Sequence, residues 1–195
     1  MKNSPEFSPL TRFVLAVLAW LPVTFAVWYF AAPAILWPVT LLTELVARVG
    51  FGDLVRAVEQ NAAVVAFTTS LKPGQAIAGG VVTVEVNTLL YSFGLPMFAA
   101  LTLAAREPHW LRALVVGYAA LVPAIAWGVL ADFLKNIAIT AAPQVVSQTG
   151  FTPFERELIA FAFQFGSLSL PAVAPAIVWV LTHRVFLERV RRAAA

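Results

Sequence analysis

The sequence contains no cysteine, and this absence excludes several kinds of chemistry. Without a thiol the chain forms no disulfide, no thiolate metal site and no cysteine nucleophile. Histidine is almost as scarce, since only His109 and His183 occur in 195 residues. Both lie beside charged or loop residues, so we expect no histidine-based metal cluster and no cofactor.

Charged residues are also rare in this chain. They make up 12% of the sequence, whereas hydrophobic residues make up 61%. A soluble domain carries about 25% charged residues, and this chain has too few to cover a surface that faces water. The composition therefore argues against a soluble enzyme, a nucleic-acid binder and a disordered tail. The net charge of +3 fits the basic cytoplasmic loops of a membrane protein. We therefore expect membrane lipids, and not nucleic acid, as its partners.

Several apolar stretches are long enough to cross a bilayer, which takes about 20 residues in a helix. The stretch at 34–47 is shorter and carries Pro38 and Glu44, so we predict an interfacial or re-entrant helix there, with a fifth span as the alternative. The predicted fold is an all-α membrane protein, formed as one membrane domain over residues 1–195. The predicted transmembrane helices lie at 13–32, 88–105, 111–134 and 157–183.

The distribution of basic residues predicts how these spans are oriented. If both termini are cytoplasmic, eight of the thirteen lysine and arginine residues lie on the cytoplasmic side. The positive-inside rule favours this arrangement, and four spans keep both basic termini on one side. We therefore expect a protein of the bacterial inner (cytoplasmic) membrane with both termini in the cytoplasm.

Residues 50–87 form the one sizeable segment outside the predicted spans, on the periplasmic side. Residues 61–70 are rich in β-branched side chains, and 72–74 read as a turn. Residues 81–86 alternate between apolar and polar side chains. This pattern predicts a small external β-hairpin whose second strand leads directly into the span at 88–105.

Four polar residues lie close to the predicted outer ends of two spans. Glu85 and Asn87 precede the second span, and Asp132 and Lys135 lie near the end of the third. Asp132 and Lys135 are three residues apart, so on a helix they share a face and can pair. Because ionisable groups near membrane depth tend to face the bundle interior, the four could form a polar site. The alternative is an ordinary ion pair at the membrane interface, with a charged strand residue beside it that faces water.

The run at 79–105, GGVVTVEVNTLLYSFGLPMFAALTLAA, resembles the core of exosortases and archaeosortases. Members of that family are multi-span membrane transpeptidases of the cysteine type, which act on a C-terminal sorting signal of exported proteins. Their pattern reads roughly V-x-E-A-C-S-G and leads directly into a span. Glu85 matches the family's glutamate, and Asn87 falls where the catalytic cysteine belongs, while Thr88 and Leu89 replace the serine and glycine.

The resemblance extends over about residues 40–185 and departs from the family at the other catalytic positions. A basic loop at 106–112 precedes the next span, as in the family, but Asp132 and Lys135 stand where that span should end in asparagine and arginine. The family's histidine has no counterpart within 155–166. A carboxamide cannot replace a thiolate nucleophile, and lysine lacks the planar fork of arginine. The resemblance therefore implies a pseudoenzyme, most similar to the small exosortase H-associated membrane proteins.

Three hypotheses about function follow. The first is an accessory protein in C-terminal-signal-dependent sorting, which binds an exosortase or a sorting-signal helix. The second is another enzyme, with Glu85 or Asp132 as acid or base. The third is a small-molecule transporter or a lipid-binding membrane scaffold. For the accessory protein we expect the helix contact to use small and polar residues within the spans, namely Gly94, Gly117, Gly128, Gly166 and Ser167.

Overall fold

The computed structural model describes residues 8–73 and 80–194, and it confirms the predicted fold class. Long apolar helices surround a central helix, and a small sheet packs at one end of the bundle. A π-helical turn at Asn136–Thr140 follows the central helix α5, and another at Phe165–Ser169 joins α7 to α8. The α-helices are α1 (Pro9–Phe30), α2 (Ala32–Phe51), α3 (Leu89–Ser92), α4 (Gly94–Ala104), α5 (Trp110–Lys135), α6 (Pro143–Val146), α7 (Pro153–Gln164), α8 (Leu170–Thr182) and α9 (Arg184–Ala194).

Helix α2 is longer than the interfacial or re-entrant helix that was predicted at 34–47, and it has the length of the alternative, a span. It runs for 20 residues, continues through Pro38, and is long and apolar enough to cross a membrane. Pro33 lies in its first turn, where a missing N–H is tolerated. The Glu44 carboxylate, about two turns before the end of the helix, pairs with Arg48 at 2.7 Å, which offsets its charge. Pro38 and Glu44 therefore lie within one continuous helix of 20 residues.

The stretch predicted as the second span is divided into α3 and α4, with a break at Phe93. Together they form the apolar stretch Leu89–Ala104, which has fewer than 18 residues. The described chain still contains four helices of spanning length, as predicted, but α2 takes the place of this stretch among them. These four are Leu10–Phe30, Ala32–Phe51, Trp110–Thr140 and Pro153–Thr182.

The sheet has three antiparallel strands in the order β1 (Val55–Asn61), β2 (Val64–Thr69) and β3 (Thr83–Asn87). The predicted pairing of two strands corresponds to β2 and β3. Strand β1 was not predicted, and Ala62, expected within a strand, lies instead in the tight β1–β2 turn with φ of 53°. Of the predicted connection between β2 and β3, residues 74–79 lie outside the described part of the chain.

One face of the sheet packs against α5. Val65, Phe67 and Val86 are buried on this face, and the Phe67 ring stacks on Phe133 of α5 with 4.2 Å between the ring centroids. Because successive side chains on a strand point to opposite faces, the polar residues between these apolar ones face away from the bundle. The sheet is thereby fixed to the end of α5 at Phe133, which we call the sheet end of the bundle.

The span glycines lie at contacts between the chain's own helices. A Cβ on Gly94 would overlap Pro175 of α8, and a Cβ on Gly117 would overlap the Phe98 ring. A Cβ on Gly128 would lie 2.5 Å from Cδ1 of Tyr91 and 3.1 Å from the carbonyl oxygen of Gly166. Small residues let helix backbones approach closely. The glycines predicted to contact a partner are therefore used within the bundle.

The opposite end of the bundle brings both terminal segments together. Phe13 near the start of α1 lies 4.9 Å from Phe186 of α9, measured between ring centroids. Glu107, in the loop between α4 and α5, lies 3.7 Å from Arg189 of α9. The first turns of α1, the loop at 105–109 and α9 are therefore on one side, which we call the basic end.

Candidate functional site

Asp132 and Lys135 form the ion pair that their spacing predicts, in the last turn of α5. Lys135 Nζ lies 2.8 Å from Asp132 Oδ1, and the side chains are 25% and 13% exposed, respectively. Asn136 Nδ2 donates to the same carboxylate oxygen at 3.0 Å and to the Asp132 carbonyl at 2.9 Å. A cation in the last turn of a helix is also favoured by the helix dipole.

The neighbouring helix α7 contributes to the surroundings of this pair. Lys135 Nζ lies 4.2 Å from the centroid of the Phe163 ring of α7, a cation–π distance. Asp132 is held by Lys135 and Asn136, and Lys135 also contacts Phe163, so the cluster connects α5 to α7. Its geometry is that of a satisfied structural ion pair.

Glu85 and Asn87 lie on the outward face of the sheet and are both exposed. Asn87 Oδ1 accepts a hydrogen bond from the backbone N–H of Leu89 at 3.1 Å, a local turn that leads β3 into α3. Glu85 pairs across the sheet with Ala66, and Glu59 of β1 pairs with the other side of Ala66. Two carboxylates therefore lie in one row of this outward face.

The structure consequently brings together only part of the predicted four-residue site. Within residues 8–73 and 80–194, no hydrogen bond or ion pair joins Glu85 or Asn87 to Asp132 or Lys135. The buried Val86 between Glu85 and Asn87 marks the face that points to the bundle. A nucleophilic mechanism needs a nucleophile within hydrogen-bond reach of a base. The four residues provide a side-chain amide that accepts from a backbone N–H, an exposed carboxylate and an ion pair whose two members bind each other.

A second polar cluster, at the basic end, was not predicted from the sequence. His183 is fully buried, its ring stacks on Trp179 at 5.3 Å, and its Nδ1 lies 2.9 Å from Thr182 Oγ1. Its Nε2 has no hydrogen-bond partner in the described chain and faces Glu107 Oε2 at 4.0 Å. One sign of this role was present in the sequence, namely the position of His183 at the end of a span, where the last carbonyl groups of the helix need donors. His183 Nδ1 lies 3.1 Å from one such carbonyl, that of Trp179.

Replacing Asp132 with asparagine should lower the free energy of unfolding by about 1–3 kcal/mol, because Lys135 would keep a half-buried charge without a carboxylate. Thermal unfolding in mild detergent measures this change. Asp132→Asn combined with Lys135→Met should recover part of the loss, since no unpaired ammonium then remains.

Glu44→Gln provides the matched control for that substitution. It breaks the Arg48–Glu44 pair, whose side chains are 55% and 28% exposed, and should cost less than about 1 kcal/mol. An Asp132→Asn variant that unfolds at the same temperature as Glu44→Gln would show that the α5 pair stabilises the bundle no more than an exposed ion pair does.

Comparison with known proteins gives one match. A family model described as "Exosortase H-associated membrane protein" matches residues 7–186. No curated protein and no solved structure matches the chain. The matched range runs from the residue before Ser8 to Phe186 in α9, so it includes the sheet, the Asp132–Lys135 pair and the cluster around His183. Among the described residues, no group of three or more histidine and acidic side chains could hold a metal ion.

Proposed function

The chain belongs to the exosortase H-associated membrane protein family, and on this premise we propose that it is a non-catalytic partner of an exosortase. In this role it assists the C-terminal-signal-dependent sorting of proteins at the cell envelope, by binding the exosortase or the sorting-signal helix of its substrate. The family description and the four helices of spanning length support a membrane protein associated with an exosortase system.

The observation that carries the non-catalytic part of the proposal is the environment of Asn87. The proposal places this residue, from the resemblance to exosortases, where those enzymes have the cysteine nucleophile. Its side-chain oxygen accepts a hydrogen bond from the N–H of Leu89, so it supports the turn between β3 and α3. A carboxamide is not a nucleophile for acyl transfer, and the chain has no cysteine elsewhere that could replace it.

The proposal includes an orientation in the bacterial inner membrane. Both terminal segments meet at the basic end, together with the loop that carries Arg106. The excess of basic residues there favours the cytoplasmic side, which directs the sheet to the periplasm. The sheet would then lie on the side of the membrane where a sorting signal of an exported protein is processed.

Substitutions of Asn87 test the non-catalytic role. We expect Asn87→Ala to leave sorting intact in cells that contain the exosortase, because the proposed role needs no chemistry at this position. We expect Asn87→Cys to produce no cleavage of a sorting-signal substrate in cells that lack the exosortase. Cleavage is measured by the change in substrate mass.

Two results would contradict this expectation. Cleavage by Asn87→Cys in the absence of the exosortase would show that the site is a competent enzyme lacking only its thiol. Loss of sorting in Asn87→Ala, with normal amounts of folded protein in the membrane, would show that Asn87 acts on the substrate. Asn61→Ala is the control, since Asn61 is also exposed and lies at the end of β1.

A further inference from the structure

At the basic end, α5, α8 and α9 border a groove of about 510 Å³, at the opposite end of the bundle from the Asp132–Lys135 pair. Three arginines, Arg112, Arg184 and Arg189, are among its lining residues. Arg112 lies at the start of α5, and Arg184 and Arg189 lie within the first two turns of α9. Three cations from two separate segments of the chain therefore converge on one groove.

The positive charge in this groove is only partly compensated. Glu107 is the acidic side chain among the groove's lining residues, and Arg189 lies 3.7 Å from it. The same carboxylate faces the buried His183 at 4.0 Å. Arg112 and Arg184 are exposed and form no ion pair among the described residues. Two guanidinium groups therefore remain available for an anion.

Beside the arginines, the groove has an apolar strip that is open to the outside of the bundle. Val116, Leu181 and Val185 contribute to its lining and are 49%, 52% and 66% exposed. Val116 and Leu181 belong to helices of spanning length, so this surface continues along the part of the bundle that faces lipid. A free anion would contact the arginines but would leave the apolar strip uncovered.

We propose that this groove binds an anionic glycerophospholipid. The phosphodiester group lies between Arg112 and Arg184, and an acyl chain follows the strip of Val116, Leu181 and Val185. Guanidinium groups match phosphate oxygens in charge and in planar geometry. Basic pockets between membrane helices at the cytoplasmic surface have the chemistry that anionic headgroups need. The lipid would join α5 to α9 across the surface of the bundle.

The test is a titration of the detergent-purified full chain with phosphatidylglycerol, followed by native mass spectrometry. Phosphatidylcholine and inorganic phosphate serve as the comparison ligands. We expect phosphatidylglycerol to bind at least about tenfold more tightly than phosphatidylcholine, and Arg112→Gln with Arg184→Gln to remove about tenfold or more of that affinity. Inorganic phosphate at the same concentration should not displace the lipid.

Arg191→Gln with Arg192→Gln is the matched control. It also removes two positive charges from the basic end, but at positions of α9 that do not line the groove. We expect this control to change the affinity less than about twofold. An equal loss in both double variants would overturn the proposal in favour of general charge attraction, and no loss in either would overturn it outright. Displacement by inorganic phosphate would overturn the lipid assignment. Circular dichroism confirms that each variant retains its helices.

Discussion

A leucine at position 128 should remove most of the folded protein, because Gly128 lies where three segments of the chain meet. A Cβ at this position would be 2.5 Å from the Tyr91 ring and 3.1 Å from the carbonyl oxygen of Gly166. The tyrosine ring could move, but the carbonyl belongs to the backbone of the helix facing α5. The helices would have to separate, and we expect the free energy of unfolding to fall by at least about 3 kcal/mol.

The amount of monodisperse protein after gentle detergent extraction, together with its thermal unfolding temperature, measures this effect. Gly50→Leu is the control, since a Cβ on Gly50 meets no atom within 4 Å. Gly50 lies within helix α2, where leucine is a better helix former than glycine, so this variant should unfold at or above the wild-type temperature. Equal stability of the two leucine variants would show that the contact at Gly128 is not tight.

The second large effect is expected from Phe67→Ala. The Phe67 side chain is fully buried, and its ring stacks on Phe133 at an interplanar angle of 17°. Truncating a buried phenylalanine leaves a cavity, and such changes cost about 3–5 kcal/mol. Because Phe67 is in the middle strand, we also expect the sheet to loosen from α5, with faster amide hydrogen exchange in all three strands.

Phe161→Ala separates this effect from the simple loss of an aromatic ring. Phe161 is 67% exposed on α7, so its truncation should change stability by less than about 1 kcal/mol. Unchanged hydrogen exchange in the strands of Phe67→Ala would mean that the sheet is held to the bundle by other contacts. Accelerated exchange in Phe161→Ala would mean that the sheet responds to any weakening of the bundle.

The helices could be predicted from the sequence because apolar length alone defines them. There were two exceptions. The helix expected at 34–47 is the longer α2, which continues through Pro38 and Glu44, and the span expected at 88–105 is divided at Phe93. Strand β3 was visible in its alternating pattern. Strand β1 was not visible, because its residues VRAVEQN include several charged and polar side chains and do not alternate. Its pairing with β2 is also irregular, with a register shift between Val55 and Ala57.

The candidate site was predictable only where the interaction is local. The Asp132–Lys135 contact follows from a spacing of three residues on a helix, and the structure shows it at 2.8 Å. The position of Glu85 and Asn87 depends on which face of the sheet packs on α5, and the Phe67–Phe133 stack decides that. Such a contact between distant residues leaves no periodic signal in a single sequence.

For the same reason, the sequence could not show which helices the small residues of the spans contact. Gly94 and Gly117 were expected to contact a partner, because small residues in membrane helices commonly mark contacts between helices. The sequence does not show whether the second helix belongs to the same chain. In the structure, Pro175 and Phe98 of this chain occupy those positions. The partner that we propose would therefore contact other surfaces of the bundle.

The most direct test of the proposed partnership is purification of the tagged chain from its native membranes in a gentle detergent, followed by quantitative mass spectrometry. We expect a cysteine-containing exosortase to be recovered with the chain in near-equal amount. Recovery of the chain alone, while the exosortase is present in the same membrane extract and stays behind, would contradict a stable partnership.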